Sequence, residues 1–349
     1  MSELIYPDFI KTGDKIGVTA CSDGRVEVLD IKRLEHAIEQ WSRLGYHIIE
    51  TSDVRTSQFG RSADARCRVK ELNELLKQKD IRAIFQVSGG DYLCEIFPYL
   101  NFELFLENPK WLQGFSDPTG LLYLVTVSTG IATIYGNNFC EFGMKDWDLS
   151  IHRNIQFLEG KLLKQDSYKK FMNGYKKRKT GLEGYDLNQK VHWKALTDGN
   201  RQFTKEIEKK ITMSGRLLGG CLDVLLEISG TRFDKTKEFC SKEGKDGIVW
   251  YLESFLLNSE QLYLGLLRLK ETGWFETAEG FWFGRPAFYE SAYDIAYEDA
   301  IYEALKDLHV PIILDADFGH LPPRMTVVNG AFGTVVCEHG MGSLEMKLC

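Results

Sequence analysis

The stretch Trp111-Leu112-Gln113-Gly114-Phe115-Ser116-Asp117-Pro118-Thr119 sets one serine on a tight, glycine-preceded turn between an apolar run and a segment of helical character. Such a turn has the form of a nucleophile elbow. The sharp change from strand to helix exposes the hydroxyl, and the amide of the next residue, Asp117, points where an oxyanion would develop. The same Gly-x-Ser pattern also serves as a plain helix N-cap, in which the serine oxygen accepts from first-turn amides. A serine hydroxyl is a weak nucleophile near neutral pH, so catalysis needs a base within about 3 Å and an acid to orient that base. Seven histidines are available. His36 falls in a helical stretch, His47 and His309 border strands, His152 and His192 flank a polar insertion, and His339 sits in a turn. His320 differs: it follows the strand Ile312-Ile313-Leu314 through Asp315-Ala316-Asp317-Phe318-Gly319 and precedes Leu321-Pro322-Pro323. A short loop after a strand is where a catalytic imidazole is held rigidly, although a loop histidine satisfied by a backbone carbonyl is the plainer alternative. For the orienting acid, Glu253 closes the apolar strand Ile248 to Leu252 and is awkward to bury without a partner. Asp315 and Asp317 stand as rivals, close to His320 in sequence.

The elements that must position these residues alternate in type. Lys15 to Ala20 reads as a strand running into the turn Cys21-Ser22-Asp23-Gly24, and Asp30 to Leu44 carries helical spacing through Ile31, Leu34, Ile38, Trp41 and Leu44. Tyr46 to Thr51 follows as a strand, Ala63 to Lys79 as an amphipathic helix, and Ile81 to Val87 as a strand ending on Ser88-Gly89-Gly90-Asp91. After the elbow come a helix from Thr119 to Thr129 and a strand from Ile131 to Gly136. This rhythm predicts a parallel, helix-flanked sheet, in which ligands collect outside the strands' carboxyl ends, where Gly89-Gly90 and Ser116 both fall. Between about Gly160 and Thr212, lysine, glycine and tyrosine displace the apolar alternation, which marks a linker and insertion. A second unit holds Ser214-Gly215-Arg216-Leu217-Leu218-Gly219-Gly220-Cys221-Leu222, the strand Gly247 to Glu253, a helix from Ser259 to Thr272 and the strand Val310 to Asp315. Met325 to Val336 has the form of a hairpin around Asn329-Gly330. The expected division is residues 1–155, an insertion over 156–212, and residues 213–349.

Composition narrows the classes. A chain of 349 residues with 44% hydrophobic and 12% aromatic content supports two cores. A net charge of -7 argues against a nucleic-acid polymer or an anionic membrane as partner, save through a local patch. The one basic run, Lys161 to Lys179, reads as a solvated face or as a flap that attracts an anionic substrate. Eight scattered cysteines lack metal-ligand spacing and read as free thiols in a reducing compartment, with no metal and no cofactor implied. No leader or long apolar span is visible, so a soluble cytoplasmic protein is the expectation. Gly13, Gly17 and Gly24 do not form the Gly-x-Gly-x-x-Gly turn of a dinucleotide-binding oxidoreductase.

Taken in order, Gly114-Phe115-Ser116-Asp117-x-Thr119 after a Ser-Gly-Gly turn, Gly215-Arg216-Leu217-x-Gly219-Gly220, a strand-end glutamate, and Asp317-Phe318-Gly319-His320 before a proline pair resemble the LD-carboxypeptidase family of serine peptidases. That family includes the microcin C self-immunity hydrolases, and the resemblance spans nearly the whole chain. It implies an N-terminal α/β domain carrying Ser116 and a C-terminal β-rich α+β domain carrying Glu253 and His320, with the active site between them. It also implies a Ser116-Glu253-His320 triad and oxyanion donors at the backbone amides of Gly90 and Asp117. The implied activity is removal of a C-terminal D-amino acid from a murein peptide in peptidoglycan recycling. The alternatives are hydrolysis of a peptidyl or aminoacyl nucleotide, and an inactive muropeptide-binding relative. Arg216, Arg285 and Arg324 are candidate partners for a substrate carboxylate. Trp147, Trp193 or a tyrosine of the insertion is a candidate to stack on a base. Relatives commonly dimerise, and Trp274, Phe275, Phe281, Trp282 and Phe283 form either an interface or a core. Two departures from the family pattern are Pro118 after the elbow aspartate, tolerable in a helix's first turn, and Asp91-Tyr92-Leu93-Cys94 after Gly90, which bears on the substrate.

Overall fold

The fold is that of a computed structural model describing residues 4–196 and 210–349. Residues 197–209 of the expected insertion lie outside the described residues. The chain divides into two units.

The N-terminal unit comprises Met1–Leu162, Tyr175–Asp186 and Thr326–Asn329. Its opening elements are β1 (Lys15–Thr19), α1 (Val28–Arg43), β2 (His47–Glu50), α2 (Ala65–Lys77), β3 (Ile81–Gln86) and α3 (Phe102–Glu107). They are followed by β4 (Trp111–Gly114), α4 (Thr119–Thr129), β5 (Thr133–Tyr135) and α5 (Leu149–Leu158). The strands from β5 through β4, β3 and β1 to β2 lie side by side and parallel. Strand order therefore reverses between β1 and β3, the place where parallel sheets open a crevice for ligands. Apolar residues on both faces fit a sheet covered by helices: Ile16, Val18, Ala83, Ile84 and Phe85 are all buried. Helix α4 is apolar all round and buried from Thr119 to Val127, as a helix inside a core must be.

The C-terminal unit comprises Leu163–Gly174, Leu187–Met325 and Gly330–Cys349. It contains the short strands β6 (Lys164–Asp166), β7 (Lys170–Phe171), β8 (Gln189–Lys190) and β9 (Lys194–Leu196), then β10 (Ile211–Cys221), α6 (Leu222–Ile228), α7 (Thr236–Glu243), β11 (Ile248–Glu253), α8 (Ser259–Glu271), β12 (Ala278–Gly284), α9 (Tyr297–Leu305) and β13 (Ile312–Ala316). Strands β10, β11, β12 and β13 are parallel neighbours. This makes the unit a mixed sheet with a parallel centre, flanked by antiparallel strands. Trp250, Trp274, Phe275, Phe281, Trp282 and Phe283 form its core, so the aromatic segment expected as either interface or core is core.

The hairpin expected around Asn329-Gly330 is not formed. β14 (Val327–Asn329) pairs antiparallel with β5 in the N-terminal sheet, whereas β15 (Phe332–Glu338) pairs with β10 in the C-terminal one. Gly330, at φ +90, changes the chain's direction, but the two strands it separates find partners in different sheets. The hairpin comes later, between β15 and β16 (Met341–Lys347), where His339 and Gly340 both have positive φ as a two-residue I′ turn requires. Trp193, proposed to stack on a base, is wholly buried and donates through Nε1 to Asp317.

Burial pushes the Asp53 carboxyl, beyond the end of β2, up to about 6 from 3.8, although Thr51 and Ser62 donate to it. The folded state thus holds this proton more tightly than the unfolded chain, and the stabilisation is full below the unfolded value and lost as pH rises through about 6. Urea midpoints should accordingly fall between pH about 4 and about 6 in the parent, and Asp53→Asn should flatten that part of the profile. An unchanged slope would show that other groups set it.

Candidate functional site

Ser116 follows β4 directly, with a left-handed backbone (φ 69) that non-glycine residues adopt only under constraint. The constraint is visible. The Phe115 amide donates to Asn138 Oδ1 at 3.0 Å, and Asn138 Nδ2 donates back to the Phe115 carbonyl at 3.3 Å. Below it, Gln113 and Asn154 exchange amide hydrogen bonds of 2.7 and 3.1 Å within the core. The Thr119 amide donates to the Ser116 carbonyl at 2.8 Å, closing the turn into α4. Proline at 118 takes helical dihedrals and leaves this turn intact.

Two neighbouring loops meet the elbow. A Cβ on Gly89, after β3, would lie 3.1 Å from Ser116 Cβ, 3.2 Å from its Oγ and 3.8 Å from the Asp117 amide nitrogen. The missing side chain is what leaves room beside hydroxyl and amide. From the loop after β1, Ser22 Oγ donates to Asp117 Oδ2, which also accepts from the Leu93 amide at 3.0 Å. Burial pushes the Asp117 carboxyl above its ordinary range. Ser88 Oγ ties the third loop in by donating to the Asp23 carbonyl at 2.9 Å. Gly90 lies against Ser22: a Cβ there would come within 2.2 Å of the Ser22 hydroxyl. Neither Ser22 nor Asn138 stood out in the sequence, because each acts on a residue 23 or more positions away.

In the C-terminal unit, Glu253 is the last residue of β11 and His320 lies in the loop after β13. His320 Nδ1 and Glu253 Oε2 are 2.8 Å apart, with both residues buried. A carboxylate only accepts, so Nδ1 carries the proton and donates it, leaving Nε2 of the neutral ring as the basic nitrogen. Gly319, at φ +93, makes this possible twice over. It turns the chain in a way other residues resist, and a Cβ there would sit 2.8 Å from Glu253 Oε2. Phe255 stacks on the imidazole, ring centroids 4.3 Å apart, a contact the sequence did not signal.

The rival acids are engaged elsewhere. Asp315 is held by Lys194 at 2.9 Å and by the Tyr297 hydroxyl. Asp317 accepts from Arg285 at 2.8 Å, the Tyr168 amide at 2.9 Å and Trp193 at 3.1 Å, and burial still pushes its carboxyl upward. The three candidate arginines are all buried. Arg216 donates to the Gly330 and Cys349 carbonyls, Arg285 to Asp317 and the Asp315 carbonyl, and Arg324 through Nε to the Gly319 carbonyl. Of the basic run, Arg178 pairs with Asp30 and Lys176 with Asp186 inside the N-terminal unit. Trp147 donates to the Phe142 carbonyl and packs on Phe142 and His152.

An α/β protein with a serine elbow on one unit and a carboxylate-bound histidine on the other has the parts of a hydrolase. Residues 16–136 match the LD-carboxypeptidase N-terminal domain and residues 214–335 the LD-carboxypeptidase C-terminal domain, so the chain belongs to this peptidase family. A Vibrio cholerae protein provisionally named a carboxypeptidase is 25% identical, with 98% of each chain covered. The microcin C7 self-immunity protein MccF of Escherichia coli is 24% identical over 92% of this chain and 90% of its own. A structure of MccF in complex with aspartyl sulfamoyl adenosine has the same fold, with a TM-score of 0.79 at 20% identity and 99% of each chain covered. No helix among the described residues is long and apolar enough to cross a membrane.

A serine-reactive fluorophosphonate should label the protein at one residue, Ser116, by peptide mass mapping. Gly89→Ala should slow labelling at least about tenfold, since its methyl narrows the approach to the hydroxyl. Labelling undiminished in Ser116→Ala would show that the elbow is only a helix cap.

Proposed function

We propose that the protein is a serine carboxypeptidase that removes a C-terminal D-amino acid from murein-derived peptides. The observation that carries this reading is the 2.8 Å contact between His320 Nδ1 and Glu253, which suits the imidazole to the proposed role of base. Ser116 is the proposed nucleophile. His320 Nε2 takes the hydroxyl proton as Oγ attacks the scissile carbonyl, and Glu253 stabilises the imidazolium. The Asp117 and Gly90 amides are the proposed donors to the tetrahedral oxyanion; one such donor contributes about 2.7–4 kcal/mol. The imidazolium then protonates the leaving amine, and water, deprotonated by the same nitrogen, releases the acyl group. None of these steps calls on a metal or cofactor. Family membership supports the hydrolytic chemistry, and the carboxypeptidase-named relative supports a carboxypeptidase activity.

A second reading, hydrolysis of an aminoacyl or peptidyl nucleotide, draws on the MccF relative and on one feature of the C-terminal unit. A cavity of about 590 Å³ is lined by Leu256, Asn258, Gln261 and the run Ala287 to Ala292. Its half-exposed Phe288 and Tyr289 rings are of a kind that can stack on a base, and Phe288 packs edge-on against Phe255, the ring that covers His320.

Purified protein incubated with an L,D-linked muramyl tetrapeptide should release D-alanine, detected by mass spectrometry. Ser116→Ala and His320→Gln should each lower kcat by several orders of magnitude, and Glu253→Gln by roughly 10³–10⁴-fold, with KM little changed. Release of the amino acid from an aminoacyl sulfamoyl adenosine but not from the tetrapeptide would select the second reading. Cleavage of neither, by a protein that labels at Ser116, would overturn both.

A further inference from the structure

β10 and β11 are parallel neighbours, and their last residues, Cys221 and Glu253, are paired in register. The loop after β13 brings His320 to the same edge. One donor atom from each of Cys221, Glu253 and His320 lies within 4.8 Å of the other two, and all three residues are buried. This is a borderline-soft ligand set, sulfur, nitrogen and oxygen, converging on one point. We propose that Cys221, Glu253 and His320 form a binding site for a thiophilic divalent cation, with Zn²⁺ as the natural occupant, that reversibly inhibits the enzyme by withdrawing His320.

Charge favours the assignment. A thiolate and a carboxylate together neutralise a dication, so the filled site buries no net charge, whereas either anion alone would be costly there. Size favours it too. Zinc bonds of about 2.0–2.3 Å place tetrahedral ligands roughly 3.3–3.8 Å apart, so a cluster spanning up to 4.8 Å closes on the metal while His320 Nδ1 and Glu253 Oε2, 2.8 Å apart without it, separate. Three protein ligands leave the fourth position to water. Sulfur in the set selects against Mg²⁺ and Ca²⁺, which prefer all-oxygen sites. Without metal, burial pushes the Cys221 thiol well above its ordinary range, and the thiol donates to Asp223 Oδ2 at 3.6 Å. Binding expels that proton to solvent as the metal–sulfur bond forms, and His320, to ligate beside Glu253 through Nδ1, shifts its ring proton from Nδ1 to Nε2 and so loses its basic nitrogen. Inhibition rests on the hydrolytic reading above; metal binding does not.

The test uses the full chain with its two exposed thiols replaced, Cys67→Ser and Cys349→Ser, titrated with Co²⁺. One equivalent should produce a near-ultraviolet thiolate-to-cobalt charge-transfer band, and Mg²⁺ should produce none. Cys221→Ala should abolish the band, weaken binding at least about tenfold, and leave turnover within a few-fold of the parent. Zn²⁺ should inhibit the parent at concentrations at least about tenfold lower than the variant, with activity restored by EDTA. Should Cys221→Ala not fold, as judged by its melting transition, Cys221→Ser and His320→Ala replace it; both must lose the native spectrum. A band absent from the parent, or retained without Cys221, would overturn the site. Equal Zn²⁺ inhibition of parent and variant would overturn its regulatory role. If no substrate is cleaved, the cobalt spectrum still decides the site, so failure of the hydrolytic reading is told apart from failure of this one.

Discussion

The hydrogen bond between His320 and Glu253 is the constraint on which the C-terminal half of the chain depends. Glu253 is wholly enclosed at the end of a central parallel strand, where an ionised carboxylate needs a strong donor. A hydrogen bond to a charged group contributes roughly 1.5–3 kcal/mol, and loss of either partner leaves the other buried unsatisfied. The surroundings are arranged to keep it. Gly319 makes space for the carboxylate and Gly284 for the base of the same side chain, since a Cβ would come within 2.8 Å of Glu253 Oε2 at the first and 3.0 Å of Glu253 Cβ at the second. The loop is pinned by Asp317, whose side chain accepts from Arg285, Tyr168 and Trp193, and by Arg324 on the Gly319 carbonyl. These contacts hold the loop that carries the ring, and Glu253 sets its tautomer.

The N-terminal unit follows the same logic with different parts. There the strained residue is Ser116 itself, and its positive φ is sustained by a buried amide network from Gln113, Asn138 and Asn154. Three post-strand loops, after β1, β3 and β4, are tied together by the Ser22 to Asp117 and Ser88 to Asp23 hydrogen bonds. Each lies at the carboxyl edge beside the reversal of strand order, so the parallel sheet supplies the rigidity and the loops supply the chemistry.

Much of this was legible because it is local. The periodicities of α1 and α2 and the apolar runs of β1, β3, β11 and β13 declare those elements, and the glycines of the elbow and of Gly319-His320 mark turns. What the sequence concealed is long-range. Asn329-Gly330 has the local chemistry of a hairpin, but Val327 to Asn329 pairs with β5 and the following strand with β10. Ser22, Asn138 and Phe255 gain their roles only through partners brought near by folding. Spacing set Asp315 and Asp317 behind Glu253 only because they lie so close to His320 in sequence; it does not reveal that Lys194, Tyr297 and Arg285 already occupy the two aspartates. Trp193 and the arginines illustrate the converse: residue types suited to recognition that the fold spends on its interior.

The central claim is that Glu253 holds His320 with its proton on Nδ1 and its basic nitrogen on Nε2. Heteronuclear NMR of the labelled histidine side chains, near neutral pH, tests it directly. The account predicts a strongly deshielded, slowly exchanging Nδ1 proton for one histidine, absent from His320→Gln and moved upfield in Glu253→Gln. A His320 ring protonated at Nε2 alone, or an Nδ1 signal unaffected by Glu253→Gln, would contradict it.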